Sequence, residues 1–81
     1  MKINTLKAGD LVTLSPNVDA SVYTVAEVNK HNVIIQWIEG AMHCSYGCDV
    51  GILCLATKAQ IKYAEAKGWK ILTAEEVVSW I

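Results

Sequence analysis

Cysteine and histidine residues lie close together in one part of the chain and could ligate a metal ion. The order His43-Cys44-x3-Cys48-x5-Cys54 offers three thiols and one imidazole, a ligand set that suits a tetrahedral structural zinc site. The spacing is unfavourable, because short zinc motifs usually separate two cysteines by two residues. His43 and Cys44 are also neighbours, so on a strand they would point to opposite faces and could bind together only at a bend. We therefore expect no metal and no cofactor, and keep a small zinc-stabilised domain as an alternative.

The same cysteines could also serve as a catalytic nucleophile. A thiol could pair with His43 or His31, with Asp49 or Asp10 orienting the imidazole. No nucleophile elbow or family signature supports such a pairing, and the glycines form no phosphate-binding loop. We predict that the protein is not an enzyme, that Cys44 and Cys54 are small buried hydrophobic residues, and that Cys48 lies in a loop.

The charge composition argues against a nucleic-acid partner. Seven lysines stand against eight acidic residues, the net charge is −1, and arginine is absent. Arginine supplies the bidentate fork that reads guanine edges and phosphates, and non-specific binding needs clustered positive charge. A nucleic-acid-associated or ribosome-associated module stays as an alternative, and it requires a common face for Lys30, Lys58, Lys62 and Lys70.

Length and apolar content predict one domain over residues 1–81. The hydrophobic fraction is 53%, enough to close a core without a metal or disulfides. The longest apolar runs are too short to cross a bilayer, and the start of the chain lacks a continuous apolar segment of the signal-peptide kind. An odd number of cysteines favours reduced thiols, so a cytoplasmic location without membrane contact is expected.

The ring-bearing residues are the best candidates for a partner surface. They comprise three Trp and three Tyr, with no Phe. Trp37 and Trp69 are predicted to form the packing centre of the small core. Tyr46, in a predicted Ser-Tyr-Gly loop tip, and Trp80, near the end of the chain, are predicted to be exposed to a partner.

The hydrophobic period has two residues as far as about Ala56, which predicts strands. Turn residues separate a strand at 11–14, an alternating segment at 21–29, a β-branched segment at 33–38 and a last strand at 52–56. In the segment 21–29, one face should carry Val22, Thr24, Ala26 and Val28. The connection Lys30-His31-Asn32 has hairpin length, Asn can adopt a left-handed conformation there, and all three residues are partner-binding candidates.

Two capping boxes predict helices in the last third of the chain. Thr57 and Gln60 have the spacing of the first box, and Gly68 is a good stop for the helix that follows. Thr73 and Glu76 have the same spacing, which predicts a second helix through Trp80 after a short extended segment.

Two short motifs resemble those of small SH3-like barrel proteins. Gly9, Asp10, Val12 and Leu14 match a GD-V-L strand, and residues 37–40 (Trp-Ile-Glu-Gly) match a W-(F/I)-(D/E)-G strand end. A family of uncharacterised bacterial and phage-associated proteins carries both motifs, and the resemblance covers roughly residues 7–57. It implies a fold and a phage-borne or mobile-element-borne accessory protein, but hardly any chemistry.

Together these features predict an α+β fold. A five-stranded, SH3-like, partly open β-barrel at about 7–56 should be followed by a helix, a short extended segment and a C-terminal helix at 57–81. The predicted function is a non-enzymatic protein-interaction module. Because open barrels leave edge strands, the expected partner is a second copy bound through a barrel edge or a foreign protein such as a host factor.

Overall fold

The computed structural model describes residues 6–77 as a small α+β domain built on one antiparallel sheet. Its strands are β1 (Leu11–Thr13), β2 (Tyr23–Val28), β3 (Val33–Glu39), β4 (Met42–Cys48) and β5 (Cys54–Leu55). A short 3-10 helix, Val50–Ile52, separates β4 from β5, and the helix α1 spans Lys58–Ala66.

The five strands form an open sheet in the order β4-β3-β2-β1-β5. The first four strands follow one another as a meander, and β5 returns to pair with β1. Strands β4 and β5 are the two edges, so the described residues confirm the α+β class and the five strands without barrel closure. Within this part of the chain, none of the helices has the length and apolar character that crossing a bilayer requires.

The sheet has an apolar face and a mixed face. The apolar face carries the core cluster. Leu6 and Leu53 belong to the cluster from outside the sheet, and its members on the strands are Val12, Val25, Val33, Ile35 and Cys48. The mixed face carries three buried polar side chains, Thr13, Thr24 and Gln36, and the apolar side chains of Ile34 and Ile38. Each buried side-chain nitrogen or oxygen in residues 6–77 has a hydrogen-bond partner, as burial of polar groups requires.

A β-bulge in β2 corrects the predicted alternation. The register of β2 against β3 shifts between Val25 and Glu27, so one extra residue lies on β2 there. Val28 consequently packs against the core cluster together with Tyr23 and Val25. The prediction that Val28 shares a face with Thr24 is therefore wrong.

The predicted start of α1 is confirmed in detail. The Thr57 hydroxyl accepts a hydrogen bond from the Gln60 N–H at 3.1 Å, and the Gln60 side chain accepts one from the Thr57 N–H at 2.9 Å. These two bonds satisfy two of the donors that every helix start leaves free.

The predicted stop of α1 at Gly68 is also confirmed. Gly68 has φ +77°, its N–H donates to the Glu65 carbonyl, and the Trp69 N–H donates to the Ala64 carbonyl, both at 3.0 Å. This is a Schellman motif, in which a residue just beyond the helix contacts its last turn. Trp69 makes that contact with Tyr63, with ring centroids 5.7 Å apart.

The segment after α1 folds back onto the sheet. Residues 69–73 have no regular secondary structure, and the Leu72 carbonyl accepts a hydrogen bond from the buried Thr24 hydroxyl at 2.8 Å. Residues 74–76 form a turn in which the Glu76 side chain accepts from the Thr73 N–H at 2.9 Å. The predicted C-terminal helix is therefore not formed in residues 74–77, and the remainder of its predicted range, including Trp80, lies outside the described residues.

Candidate functional site

Strand β4 forms one whole edge of the sheet and has no paired neighbour on its outer side within residues 6–77. It is seven residues long, Met-His-Cys-Ser-Tyr-Gly-Cys, and pairs along its full length with β3. Five of its residues are exposed. The opposite edge, β5, has only two residues.

The edge of β4 lacks the features by which proteins usually block strand addition. It contains no Lys, Arg, Asp, Glu or Pro and shows no bulge against β3. Met42 and Tyr46, on the apolar face, are 68% and 54% exposed. The result is an uncharged strand edge flanked by two large exposed side chains.

Tyr46 is the partner-binding candidate that the structure places on this edge. It lies within β4 opposite Ile35. The prediction of a Ser-Tyr-Gly loop tip is wrong, while the predicted exposure of Tyr46 is confirmed. Sequence reasoning missed the strand because β4 contains no β-branched residue and only one aromatic residue.

The other partner-binding candidates lie elsewhere. Lys30 and His31 are exposed in the β2–β3 connection, where the Asn29 N–H donates to the Asn32 carbonyl at 2.8 Å. Asn32 is partly buried and does not adopt a left-handed conformation. Its side chain accepts from that of Asn29, so it closes the hairpin. Trp80 lies outside the described residues.

The four candidate zinc ligands do not converge. His43 and Cys44 are successive residues of β4 and therefore point to opposite faces, and Cys54 lies on β5 at the other edge of the sheet. The His43 Nε2 lies 2.7 Å from the Gln36 Oε1, to which it donates. Across residues 6–77 no group of three or more His, Cys, Asp or Glu side chains is arranged to hold a metal ion.

The burial of the three thiols is the reverse of the prediction. Cys48 is buried in the core cluster, Cys44 is partly buried, and Cys54 is exposed. Strand alternation explains the difference, because Cys48 faces inward opposite Val33. Burial raises the pKa of the Cys48 thiol, and the neighbouring Asp49 carboxylate raises it further.

This arrangement predicts the order in which the thiols are alkylated. Only the thiolate reacts, so Cys48, buried and with a raised pKa, should be modified last, and the exposed Cys54 first. Iodoacetamide labelling at neutral pH, followed by peptide mass spectrometry over time, measures the order. In denaturant the three rates should converge. Labelling of Cys48 as fast as Cys54 in the folded protein would contradict the described placement of β4.

A cleft lies between the sheet and the segment that follows α1. Its volume is about 500 Å³, and its lining includes Tyr23 from β2, Trp37 and Glu39 from β3, and Trp69 and Lys70 after α1. Trp37 is partly buried and packs against the core, whereas Trp69 is 41% exposed. Trp69 is thus a wall of the cleft, and the prediction that it shares the packing centre with Trp37 is wrong.

The lysines considered for nucleic-acid binding are distributed over several elements. Lys30 lies in the β2–β3 connection, Lys58 and Lys62 lie on α1, and Lys70 follows it. The Lys70 ammonium is 2.7 Å from the Glu76 carboxylate. The hydrogen bond from Lys70, followed in effect by the one from the Thr73 N–H, lowers the pKa of Glu76. Lys70 therefore has an acidic partner close by in the same segment.

Comparisons of the chain with protein-family models, with curated proteins and with solved structures find no match. The resemblance to SH3-like barrel proteins therefore stays a prediction.

Proposed function

We propose that the protein is a non-enzymatic protein-interaction module whose contact surface is the outer edge of β4. The observation that carries the proposal is a seven-residue edge strand without charge or proline, flanked by exposed Met42 and Tyr46. Main-chain groups on such an edge provide affinity, and the alternating side chains provide specificity.

The partner that fits this edge is a second copy of the chain. An antiparallel pair of β4 strands centred on Ser45 sets Cys44 opposite Tyr46 and His43 opposite Gly47. No two charged residues face each other in this register, since β4 has no Lys, Arg, Asp or Glu. Tyr46 of one copy and Met42 of the other become diagonal neighbours. The thioether of methionine packs favourably against an aromatic ring. Two copies then share a ten-stranded sheet.

Replacing Tyr46 with lysine should weaken this association. The two-fold arrangement repeats each contact, so the substitution removes two ring contacts and brings two ammonium groups close together. We expect the dissociation constant of the dimer to rise at least about ten-fold, equivalent to about 1.4 kcal/mol. Sedimentation velocity over a wide concentration range measures it.

The matched control is Leu55→Lys on the opposite edge. Leu55 is 58% exposed and belongs to β5, so the control introduces the same charge at an equally exposed apolar edge position. It should leave the dissociation constant unchanged. Equal weakening by both variants, or a strict monomer at all concentrations, would contradict self-pairing through β4. A phage or mobile-element role, suggested by the resemblance, would be compatible with either a second copy or a host protein as partner.

A further inference from the structure

Strand β4 carries an exposed histidine on the mixed face of the sheet. The register against β3 places three residues of β4 on this face: His43, Ser45 and Gly47. The His43 ring is exposed, and its Nε2 donates to the Oε1 of Gln36 at 2.7 Å. Gln36 is 0% exposed, so a buried and uncharged partner holds the ring in place. Because Nε2 donates, Nδ1 is the nitrogen that takes up a proton.

His43 also belongs to the edge that pairs in the proposed dimer. The two-residue turn after β3 makes the residues that flank it, Glu39 and Met42, a hydrogen-bonded pair, and such pairs alternate along a hairpin. The backbone N–H and C=O groups of His43, Ser45 and Gly47 therefore point away from β3. Pairing centred on Ser45 is the register that uses all seven residues of β4. It joins His43 of one copy to Gly47 of the other by backbone hydrogen bonds.

Gly47 lets neighbouring side chains of its own copy reach the edge of the sheet. A Cβ at Gly47 would lie 3.1 Å from the Ile34 Cδ1 and 3.4 Å from the Asn32 Nδ2. In the paired register these two side chains therefore lie beside the His43 ring of the second copy. The Asn32 Oδ1 accepts from the Asn29 side chain at 3.0 Å, so Asn32 presents its N–H donors at Gly47. Neither an alkyl group nor a hydrogen-bond donor stabilises a positive charge on the ring.

The described part of the same copy offers His43 no carboxylate. The β3 residues on the mixed face do not titrate: Ile34, Gln36 and Ile38. Ile38 and Lys70 both line the cleft, but the Lys70 ammonium is already paired with Glu76 at 2.7 Å. Glu39 belongs to the apolar face. A proton on His43 therefore adds a positive charge that these groups leave unbalanced.

The second copy brings charged groups of both signs to this side of the pair. Asp49 follows β4 directly, and its Oδ1 already accepts from the Gly51 N–H at 2.8 Å. Residues 30–31 (Lys-His) are exposed in the hairpin that holds Asn32. Glu27 is on β2, two strands inward from the edge. Since these charges oppose one another, the loss of water around the ring decides the outcome, and it disfavours the protonated form.

We propose that self-pairing through β4 is controlled by protonation of His43, and that acid dissociates the dimer. The inference rests on the proposed pairing and adds its regulation. A neutral ring can be covered by the second copy, whereas a protonated ring must give up its hydration or hold the two strands apart. The two-fold arrangement repeats the contact, so each dimer contains two such rings. Association is tight above the pH range in which histidine ordinarily titrates and weak below it.

Sedimentation velocity at two pH values tests the proposal. Between about pH 7.5 and about pH 5.5, histidine is the side chain that ordinarily changes its charge, and the chain has two histidines. We expect the dissociation constant of the dimer to rise at least about five-fold on acidification.

Two variants assign the effect to one histidine. His43→Gln keeps an N–H donor for Gln36 and cannot titrate, so it should form the dimer at both pH values with nearly the same dissociation constant. His31→Gln removes the other histidine, which is exposed in the β2–β3 connection, and is the matched control. It should retain the full dependence on pH.

Three results would overturn the proposal while leaving pairing through β4 intact. They are a dissociation constant that is equal at the two pH values, a dimer that is tighter in acid, and a pH dependence that persists in His43→Gln. A strict monomer at the higher pH would instead contradict the proposed function, and this proposal with it. Amide spectra of each variant at both pH values confirm that it is folded.

Discussion

Replacing Gln60 with leucine should lower the free energy of unfolding by about 3 kcal/mol. The Gln60 side chain is 1% exposed and makes three hydrogen bonds to backbone groups. Its nitrogen donates to the carbonyls of Ser15 and Asn17, and its oxygen accepts from the Thr57 N–H, each at 2.9 Å. Leucine fills a similar volume but removes all three hydrogen bonds, and each such bond contributes about 1 kcal/mol. Urea denaturation measures the change.

The control for Gln60 is Lys62→Leu on the exposed side of the same helix. Lys62 is exposed and serves neither the capping box nor the connection after β1. It should change stability by less than about 0.5 kcal/mol. A loss below about 1 kcal/mol for Gln60→Leu would show that this side chain does not anchor α1 to the Ser15–Asn17 connection.

Gly9→Ala should cost about 2–3 kcal/mol of stability and should disturb the wall of the cleft. Gly9 has φ +97°, a conformation that alanine adopts only with strain. An added Cβ would also lie 2.8 Å from the Cβ of Ala74, in the segment that follows the cleft wall. The collision pushes this segment away from the turn before β1. Denaturation measures the loss, and the Trp69 indole resonance reports the displacement.

Gly40→Ala is the control that separates the cost of backbone strain at a glycine of positive φ from the cost of the steric collision at Gly9. Gly40 has φ +62° in the β3–β4 turn, and an added Cβ there meets nothing within 4 Å. It should cost about 1 kcal/mol, the strain alone. Adding Ala74→Gly to Gly9→Ala should recover part of the loss by removing the collision. If Gly9→Ala costs no more than Gly40→Ala, the contact between Gly9 and Ala74 contributes nothing to the folded state.

The features predicted correctly are those that depend on neighbours in sequence. The capping box at Thr57, the stop at Gly68 and the turn at Gly40 each need only a few consecutive residues. A two-residue connection with positive φ at its first residue is a common β-hairpin turn, and glycine is the residue that adopts it without strain. Local chemistry therefore predicted where elements begin and end.

The features that sequence reasoning missed depend on pairing between distant residues. Strand β4 forms because β3 offers it seven partners, although its own residues have weak strand preference. The β2 bulge reverses the face of Val28, and no single residue signals it. The burial of Cys48 follows from its place opposite Val33. The cleft likewise combines strands with a segment some thirty residues later in the chain, so its lining could not be read from any one motif.

We propose the outer edge of β4 as the contact surface, and amide hydrogen exchange along this strand tests that assignment. Exchange is measured residue by residue at a low and a high protein concentration. We expect the outward-facing amides of β4 to become slower at the high concentration, because strand pairing protects them, while the amides of β5 do not change. Tyr46→Lys should abolish the gain at β4 and Leu55→Lys should preserve it. Unchanged exchange along β4 in a protein that does associate, with protection gained elsewhere, would contradict β4 as the contact surface.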